Sequence, residues 1–375
     1  MKKKLRVVHV ISDLPFGGVE KFLLDLLPRF QDNLHVSICC IREKGKLAPD
    51  FERRGIKVDL CFFKGRLHPQ SIINLRNYLK ENRVDVVHTH MYRANTSGTV
   101  SSRIAGIPVI ISHLHSYPEW DTWRQKKMDA FLSNFKDHII AVSESVKKNF
   151  IEATNYNKDK ITTIYNGVDL SRFAISYDID AKRKSLGIPR DAKVVGIFAR
   201  LIEDKRHRVF LESAKDVLKI YGKNLYFLIV GKGPLDSELK DLAVKSRIMD
   251  NVIFTGLRDD VPELLQMTDI SVLTSRREGF PIIILESMAS GVPFISTDAG
   301  GVGEIIKDGE SGFVVPIESP QALAEAMIKL LHDEKLQKRF SETSKRIVKS
   351  YTIESNVTKL TDLYLNLYRR KSLKQ

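Results

Sequence analysis

Short apolar runs alternate with longer amphipathic segments through most of the chain. Runs such as Leu5–Ile11 and Ile270–Leu273 are apolar at most positions, which is typical of strands buried on both faces of a parallel sheet. Segments such as 70–81 instead carry apolar residues at helical spacing. Strands and helices that alternate in this way form right-handed βαβ units, with helices on both faces of the sheet. The pattern therefore predicts an α/β fold.

The alternation is interrupted once, near the middle of the chain. Residues 174–191 lose apolar periodicity, and a length of 375 residues favours two domains over one. We therefore predict a first domain over residues 1–173, a linker over 174–191 and a second domain over 192–351. The remaining segment, 352–375, is predicted to be a terminal helix.

The composition is that of an ordinary globular protein, but the charge is strongly basic. No run approaches the ~20 apolar residues that span a bilayer. The formal net charge of +14 lies mainly in the first half and favours an anionic partner, such as a lipid surface, a lipid diphosphate or nucleic acid. Ordinary solubility is the alternative explanation. Cys39, Cys40 and Cys61 fall in apolar runs, which indicates buried thiols in a reducing compartment.

Two carboxylates follow the apolar run Ile270–Leu273. Glu278 lies in the loop after this predicted strand, and Glu286 lies in the next predicted helix, with Pro281 at the first helical position. Open α/β sheets bind ligands at the carboxyl ends of their strands. Carboxylates there can accept hydrogen bonds from a sugar or ribose, and Gly279 allows close approach. The structural alternative is that Glu278 caps the helix and Glu286 is solvated.

Cationic and glycine-containing loops follow other predicted strands. Arg200 ends one strand and Lys205 precedes the following helix; a guanidinium fork and an ammonium group in this arrangement suit a diphosphate. Two glycines after the next strand either admit a nucleotide or simply form a turn. They are Gly231 and Gly233. A Gly-Gly pair after the first strand suits an anion at a helix N-terminus, although it is also ordinary turn chemistry. This pair is Gly17 and Gly18.

Two His-x-His pairs end the fourth and fifth predicted strands and therefore face the same edge of the sheet. They are His88 with His90 and His113 with His115. Four histidines suggest zinc, but no cysteine or further ligand spacing supports a metal site. A histidine at a strand end is more often a satisfied structural residue.

An aromatic and basic segment lies just after the second histidine pair. It contains Trp120, Trp123 and Arg124. Tryptophan beside lysine and arginine is typical of a membrane interface or an acceptor-binding surface. The alternative is a helix with a buried aromatic stripe and a solvated basic face.

Several of these motifs together resemble one family. The string Glu-Gly-Phe-Pro at 278–281, followed by Glu286, is similar to the signature of the retaining glycosyltransferases of family four, which have the GT-B fold. The Gly-Gly-x-Glu loop at Gly17 and the Asn-Gly-Val-Asp string at Asn166 resemble further segments of the family. The matches run in the family's order as far as Gly312.

The resemblance implies two facing Rossmann-like domains with parallel sheets, an active site in the inter-domain cleft, and a last helix that crosses back to the first domain. It implies transfer of a sugar from a nucleotide diphosphate sugar, commonly a UDP-sugar, to an acceptor hydroxyl with retention of configuration and without a metal or other cofactor. The implied catalytic residues are His115, Glu278, Arg200 and Lys205, with His113 as the rival of His115. The implied donor-binding residues are Gly17, Gly18, Arg200, Lys205, Gly231, Gly233, Glu278, Gly279, Phe280, Pro281 and Glu286.

The prediction of the acceptor rests on the charge and aromatic content of the first half of the chain. We expect a lipid-linked or surface-polysaccharide glycan as acceptor, peripheral contact with an anionic membrane, and a cytoplasmic location at its inner face. The expected acceptor-side residues are His113, Trp120, Trp123 and Arg124. One alternative is a nucleotide-sugar epimerase on the same fold. The other is a basic nucleic-acid-binding protein, but the sequence offers no recognition helix or RNA motif, so we expect no nucleic-acid partner.

Overall fold

The computed structural model describes residues 4–30, 34–65, 67–118, 120 and 122–373. These residues form two compact units, each with its own parallel sheet. The first unit consists of the chain up to Gly167 together with the terminal segment from Thr352. The second unit runs from Val168 to Tyr351.

The first unit is built on a seven-stranded sheet in which neighbouring strands are parallel. The strands are β1 (Leu5–Ile11), β2 (Leu34–Cys40), β3 (Lys57–Leu60), β4 (Val86–His90), β5 (Val109–Leu114), β6 (His138–Ala141) and β7 (Ile161–Thr163). They lie in the order β3-β2-β1-β4-β5-β6-β7. The central strands β4 and β5 are buried along their whole length, as their uninterrupted runs predict.

Helices connect these strands and cover the sheet. They are α1 (Gly18–Leu26), α2 (Ala48–Arg53), α3 (Pro69–Glu81), α4 (Met91–Ala105), α5 (Trp123–Ser133) and α6 (Glu144–Thr154). The last helix of the chain, Ile353–Ser372, is called the terminal helix below and also belongs to this unit. It buries Tyr364, whose hydroxyl lies 2.6 Å from Nδ1 of His88.

The second unit has a six-stranded parallel sheet in the order β10-β9-β8-β11-β12-β13. The strands are β8 (Lys193–Phe198), β9 (Leu225–Val230), β10 (Val252–Gly256), β11 (Ile270–Leu273), β12 (Phe294–Thr297) and β13 (Gly312–Val315). The helices are α7 (Ile179–Ser185), α8 (His207–Tyr221), α9 (Asp236–Lys245), α10 (Val261–Gln266), α11 (Ile282–Ser290), α12 (Pro320–His332) and α13 (Glu334–Ile347). Strand order reverses between β8 and β11, and loops at such a switch point are where open α/β sheets bind ligands.

The segment 174–191, predicted to be a linker, instead contains α7 and belongs to the second unit. The Asp178 carboxylate caps this helix. Lys182 attaches it to the rest of the unit, because its ammonium lies 2.7 Å from Asp260 and 2.5 Å from Glu263. Apolar periodicity gave no sign of the helix, since charged contacts hold it in place.

Two further differences from the sequence-based expectations are local. The short helix α2 was not predicted. Pro281 was placed at the first helical position, whereas it precedes α11 as its N-cap residue, with φ −72° and ψ 115°. Proline suits this position because φ matches its ring and no helical hydrogen bond is lost. No helix among the described residues combines the length and apolar character needed to span a bilayer.

Candidate functional site

The predicted site residues fall into two sets, one in each unit. In the second unit, the loop after β8 carries the predicted phosphate-binding cations. Arg200 is exposed and Lys205 is partly buried at the end of a short 3-10 turn, just before α8. The Lys205 ammonium forms an ion pair with the Glu278 carboxylate. Two of the residues predicted to be catalytic are therefore in direct contact.

Hydrogen bonds between loops fix this ion pair. The hydroxyl of Ser275 donates to Oε1 of Glu278 at 2.5 Å, and the hydroxyl of Thr274 donates to the carbonyl of Lys205 at 2.7 Å. The N–H of Gly301 donates to the carbonyl of Glu278 at 3.2 Å. The loops after β8, β11 and β12 thus hold one another at the carboxyl edge of the sheet, which positions both charges before any ligand contact is made.

Gly231 and Gly233, in the loop after β9, lie against the backbone of the loop after β8. A Cβ atom on Gly231 would lie 1.9 Å from the carbonyl oxygen of Ala199, and one on Gly233 would lie 2.2 Å from that of Leu201. Side chains at these positions would therefore collide with the backbone on either side of Arg200. These glycines allow the loop after β9 to pack against the Arg200 loop.

The rest of the Glu-Gly-Phe-Pro string lies against the interior of the second unit. Gly279, Phe280 and Pro281 are buried, and the Phe280 ring packs 5.6 Å from that of Tyr351. Glu286 is partly buried on α11, one turn beyond the start of the helix. The buried string anchors the loop that carries Glu278.

In the first unit, Gly17 and Gly18 stand at the start of α1. Gly17 is the N-cap residue in an extended conformation, and a Cβ atom there would lie 2.2 Å from the Glu20 carboxylate. A Cβ atom on Gly18 would meet nothing within 4 Å among the described atoms. Gly17 therefore gives the buried Glu20 side chain room to fold back over the helix start, while Gly18 leaves open space beside it.

Strand register brings five histidines onto one face of the first sheet. His9 on β1 lies opposite His88 on β4, and His90 lies opposite His113 on β5. Side chains two residues apart share a face, so His115, just beyond the end of β5, continues the same row. All five histidines are buried. We call them the histidine cluster.

Three members of the cluster form a hydrogen-bonded chain. Nδ1 of His9 lies 2.8 Å from Nε2 of His90, and Nδ1 of His90 lies 2.8 Å from Nε2 of His115. The ring planes differ by only 15° and 25° along this chain. The other two rings stack on it face to face. The centre of the His88 ring lies 4.4 Å from that of His90, and the centre of the His113 ring lies 4.1 Å from that of His115.

The cluster is electrically neutral at ordinary pH. Burial lowers the pKa of His115 to about 3, and burial together with repulsion from His115 lowers the pKa of His9 to about 3. The pKa values of His88, His90 and His113 are also lowered well below the ordinary range, chiefly by burial. Desolvation disfavours the imidazolium form, so these rings act as neutral donors and acceptors.

The cluster also contains the arrangement that most nearly fits a metal in the described part of the chain. His9, His88 and His90, or His90, His113 and His115, each bring three nitrogens within 4.8 Å of one another. Zinc takes imidazole ligands. However, both nitrogens of the shared His90 already form hydrogen bonds. The arrangement therefore suits hydrogen-bonded imidazoles better than a metal.

The aromatic and basic segment forms an exposed surface on α5. Trp123 is 64% exposed, with the Lys127 ammonium 4.8 Å and the Arg124 guanidinium 5.5 Å from its ring centre. Phe131 on the same helix is also exposed. Trp120 is different, because it is partly buried and its indole N–H donates to Asp129 at 3.2 Å. The structure therefore separates Trp123 and Arg124, which are at the surface, from Trp120.

Sequence reasoning missed three participants in these arrangements. His9 was treated only as part of the first predicted strand. The alternation of side chains along a strand could have placed it on one face of the sheet. Tyr364 lies far along the chain from His88, and only the packing of the terminal helix brings them together. Ser275 precedes the recognised string by three residues, and its contact with Glu278 depends on loop geometry.

Comparison with known proteins identifies the class of enzyme that this fold and these residues define. Residues 16–172 match the family described as Glycosyltransferase Family 4, and residues 178–347 match Glycosyl transferases group 1. Together these matches cover most of the chain. The protein belongs to the glycosyltransferases of family four, and it has the GT-B fold, as its sequence motifs predicted.

Individual relatives agree with this assignment. The chain is 29% identical to the Escherichia coli UDP-Gal:alpha-D-GlcNAc-diphosphoundecaprenol alpha-1,3-galactosyltransferase over 98% of both proteins. It is 28% identical to the lipopolysaccharide core biosynthesis mannosyltransferase LpsB of Rhizobium meliloti, over 64% of the chain and 68% of that protein. The structure of Anabaena HepE in complex with UDP-glucose superimposes with a TM-score of 0.88 at 23% identity, covering 96% of this chain and all of HepE.

Proposed function

We propose that this glycosyltransferase moves a sugar from a UDP-sugar to a hydroxyl group of a lipid-linked glycan, with retention of anomeric configuration. The observation that carries the proposal is the Lys205–Glu278 ion pair at the carboxyl edge of the second sheet. It places a cation for a diphosphate next to a carboxylate for sugar hydroxyls. The E. coli relative is named for UDP-Gal and a diphosphoundecaprenol-linked acceptor, and HepE was solved with UDP-glucose.

The cationic loop supplies the diphosphate site in this proposal. Arg200 is exposed and can form two parallel hydrogen bonds to phosphate oxygens, while Lys205 acts as a compact point charge. A diphosphate oxygen would compete with Glu278 for the Lys205 ammonium. Donor binding would thereby release the Glu278 carboxylate to accept hydrogen bonds from the sugar. The Ser275 hydroxyl keeps that carboxylate in place during the exchange.

The same groups lower the barrier to transfer. As the bond between the sugar and the diphosphate breaks, negative charge grows on the leaving diphosphate, and fixed cations stabilise it. We propose that Arg200 and Lys205 do this without a metal ion or other cofactor. Glu286 holds the ribose, and the backbone at Gly279 and Phe280 completes the sugar site. We also propose that Gly17 and Gly18 bind the donor phosphates.

Retention is proposed to occur by front-face departure. The C1–oxygen bond to the diphosphate breaks, the acceptor oxygen bonds to C1 on the same face, and the acceptor's proton passes to the leaving phosphate. No residue then needs to form a covalent bond to the sugar. His115 contacts the sugar through a neutral imidazole, in keeping with its strongly lowered pKa, and His113 stacks behind it.

The acceptor and its membrane are assigned to the first unit. The exposed α5 surface, with Trp123, Arg124 and Lys127, combines an apolar ring with cations. Such surfaces bind anionic lipid headgroups. We therefore propose peripheral contact with the inner face of the cytoplasmic membrane, where a lipid-linked acceptor and a nucleotide sugar can meet. Trp120, whose indole N–H donates to Asp129, is a further acceptor-side residue in this proposal.

Thermal shift against a panel of nucleotide diphosphate sugars, with and without EDTA, tests the donor assignment. We expect a UDP-sugar to raise the melting temperature, because a ligand that binds only the folded state stabilises it. EDTA should not change that shift. Stabilisation only by a purine nucleotide sugar, or a shift abolished by EDTA, would contradict the donor assignment or the metal independence, respectively. Turnover of the donor without any acceptor would instead favour an epimerase.

A further inference from the structure

The chain turns sharply at Arg206, the residue directly after the proposed diphosphate ligand Lys205. Arg206 joins the short 3-10 turn Glu203–Lys205 to α8, and its backbone is left-handed, with φ 49° and ψ 41°. This conformation is unfavourable for a residue with a side chain, because Cβ crowds the following carbonyl oxygen. The Arg206 side chain forms no capping hydrogen bond to α8 in return. Other contacts must therefore stabilise the turn.

Two carboxylates hold the Arg206 side chain. Glu203, at the start of the 3-10 turn, forms an ion pair with its guanidinium. Glu318, in the loop between β13 and α12, has Oε1 2.9 Å from Nε of Arg206. Nε forms no hydrogen bond among the described residues, so this second contact is mainly electrostatic. The Arg206 side chain is only 18% exposed, which limits screening of both contacts by solvent. We call these three residues the Arg206 clamp.

The clamp joins two left-handed positions in different loops. Glu318 also has a positive φ, of 57°. Backbone strain of this kind persists only where surrounding contacts enforce it, and it is concentrated at functional sites. The clamp therefore fixes the loop after β8 against the loop after β13. This contact adds to those that the loops after β11 and β12 make with each other and with Lys205.

The conformation of Arg206 determines where Lys205 lies. The N–H of Lys205 donates to the carbonyl of Ile202 at 3.1 Å within the 3-10 turn. Its carbonyl accepts a hydrogen bond from Thr274, and its ammonium pairs with Glu278. A right-handed conformation at Arg206 would change φ by about 110°. That change would reorient the 3-10 turn, and Lys205 with it, relative to α8.

We propose that Arg206 is a positioning residue, which uses Glu203 and Glu318 to hold the left-handed turn that presents Lys205 to the donor diphosphate. The proposal rests on the proposed function, because that function places the diphosphate at Lys205. The Arg206 guanidinium does not bind the diphosphate itself, since two carboxylates already compensate its charge. Its contribution to donor binding passes through the backbone.

Two substitutions at Arg206 separate the backbone from the side chain. Arg206→Ala removes the clamp but keeps a Cβ atom, whereas Arg206→Gly also removes the need for a clamp, since glycine adopts positive φ freely. We expect Arg206→Ala to weaken UDP binding about fivefold, as for one or two partly exposed ion pairs. Arg206→Gly should recover most of that affinity. Isothermal titration calorimetry would measure both. Equal losses, or no loss in Arg206→Ala, would overturn the proposal.

A double-mutant cycle tests whether the effect passes through Lys205. In a Lys205→Ala background, Arg206→Ala should have little further effect on UDP affinity, because the group that Arg206 positions is absent. A further fivefold loss in this background would show that Arg206 acts on the ligand directly, and the positioning role would be rejected.

Arg208→Ala is the matched control. Arg208 also forms an ion pair, at 2.5 Å with Glu238, but it lies within α8, where its backbone is helical. This variant should bind UDP as the wild type does. A fivefold loss here would mean that any lost surface charge has this effect, and would count against the clamp.

Stability separates failure of the clamp from failure of the proposed function. If UDP failed to bind even the wild-type protein, the proposed function would fail. The melting temperatures of the Arg206 variants would still test the clamp, because they need no ligand. Arg206→Ala should melt below Arg206→Gly, and equal melting temperatures would show that the left-handed turn needs no support from the side chain.

Discussion

The two units place their polar groups by opposite means. In the first unit, five imidazoles are buried on rigid strands and stay neutral because burial lowers their pKa values. In the second unit, Arg200, Lys205 and Glu278 stand on loops, where Arg200 is exposed and the Lys205–Glu278 ion pair is partly buried. Strand register positions the first set, while hydrogen bonds between loops position the second. Neutral donors suit the recognition of a sugar, and charges suit a diphosphate.

The largest loss of activity from a single substitution should follow removal of the Glu278 carboxylate in the second unit. Glu278→Ala removes both the partner of Lys205 and the proposed acceptor for sugar hydroxyls. We expect kcat/KM to fall on the order of 100-fold, comparable to the loss of one preorganised group that binds the transition state. Steady-state kinetics with the UDP-sugar would measure this. The exposed Glu310→Ala variant is the control; an equal effect in both would argue against a specific role for Glu278.

The packing of the cationic loop can be broken without removing a charge. Gly233→Ala would place a Cβ atom 2.2 Å from the carbonyl oxygen of Leu201. Relieving this overlap requires backbone movement beside Arg200, and we expect a loss of about 1–3 kcal/mol of stability together with weaker donor binding. Gly303→Ala is the matched control, because a Cβ atom there meets nothing within 4 Å among the described atoms. Urea unfolding would compare the stabilities of the two variants. Equal stabilities would show that Gly233 is not tightly packed against the Leu201 backbone.

Acid should destabilise the protein through the histidine cluster. The folded-state pKa values are lowered, to about 3 for His9 and His115, from an ordinary value of 6.5. Below pH 6.5 the unfolded chain therefore binds more protons than the folded chain. As the pH is lowered below 6.5, the free energy of unfolding should therefore fall by about 1.4 kcal/mol per pH unit for each such histidine.

Denaturant midpoints at pH 7.5, 6.5 and 5.5 would measure this dependence. His113→Phe should flatten it, because one buried imidazole is removed. A wild-type stability that stays constant down to pH 5 would show that the cluster is not buried and neutral.

The smallest effect is expected at the α5 surface. Trp123→Ala should weaken binding to vesicles containing anionic lipid about fivefold, through loss of one partly inserted ring. Binding of the wild-type protein should also weaken with added salt. Co-sedimentation would measure both effects. The control is Ile220→Ala, which changes an exposed apolar residue of the second unit. Equal vesicle binding by the wild type and Trp123→Ala would show that Trp123 on α5 does not contact the membrane.

Much of the fold was readable from the sequence because each unit follows simple periodicity. Strand β11 and helices α8, α11 and α12 lie where apolar spacing predicts them. Helix α7 was not readable, since charged side chains rather than an apolar stripe attach it to its unit. Pattern methods detect buried faces, and this helix has no fully buried residue.

The candidate site was readable only in part. The His-x-His pairs could be placed on one edge because strand alternation fixes side-chain direction. The hydrogen-bonded chain also requires His9, which lies within a mostly apolar run and was therefore assigned only to a strand. The contact between Lys205 and Glu278 joins loops 73 residues apart, so only the family resemblance suggested their proximity. Gly231 and Gly233 could be placed in a loop from the sequence, but their packing against the Arg200 loop could not. A glycine motif alone does not distinguish close packing between loops from close approach of a ligand.

The proposed donor site is tested most directly by removing its two cations together. An Arg200→Ala, Lys205→Ala double variant would be checked for an unchanged unfolding transition, and its UDP-sugar affinity and turnover would then be compared with wild type. We predict a loss in kcat/KM of at least about 100-fold and weaker binding of UDP itself. A folded double variant that binds UDP and turns over the donor as the wild type does would contradict the proposed diphosphate site.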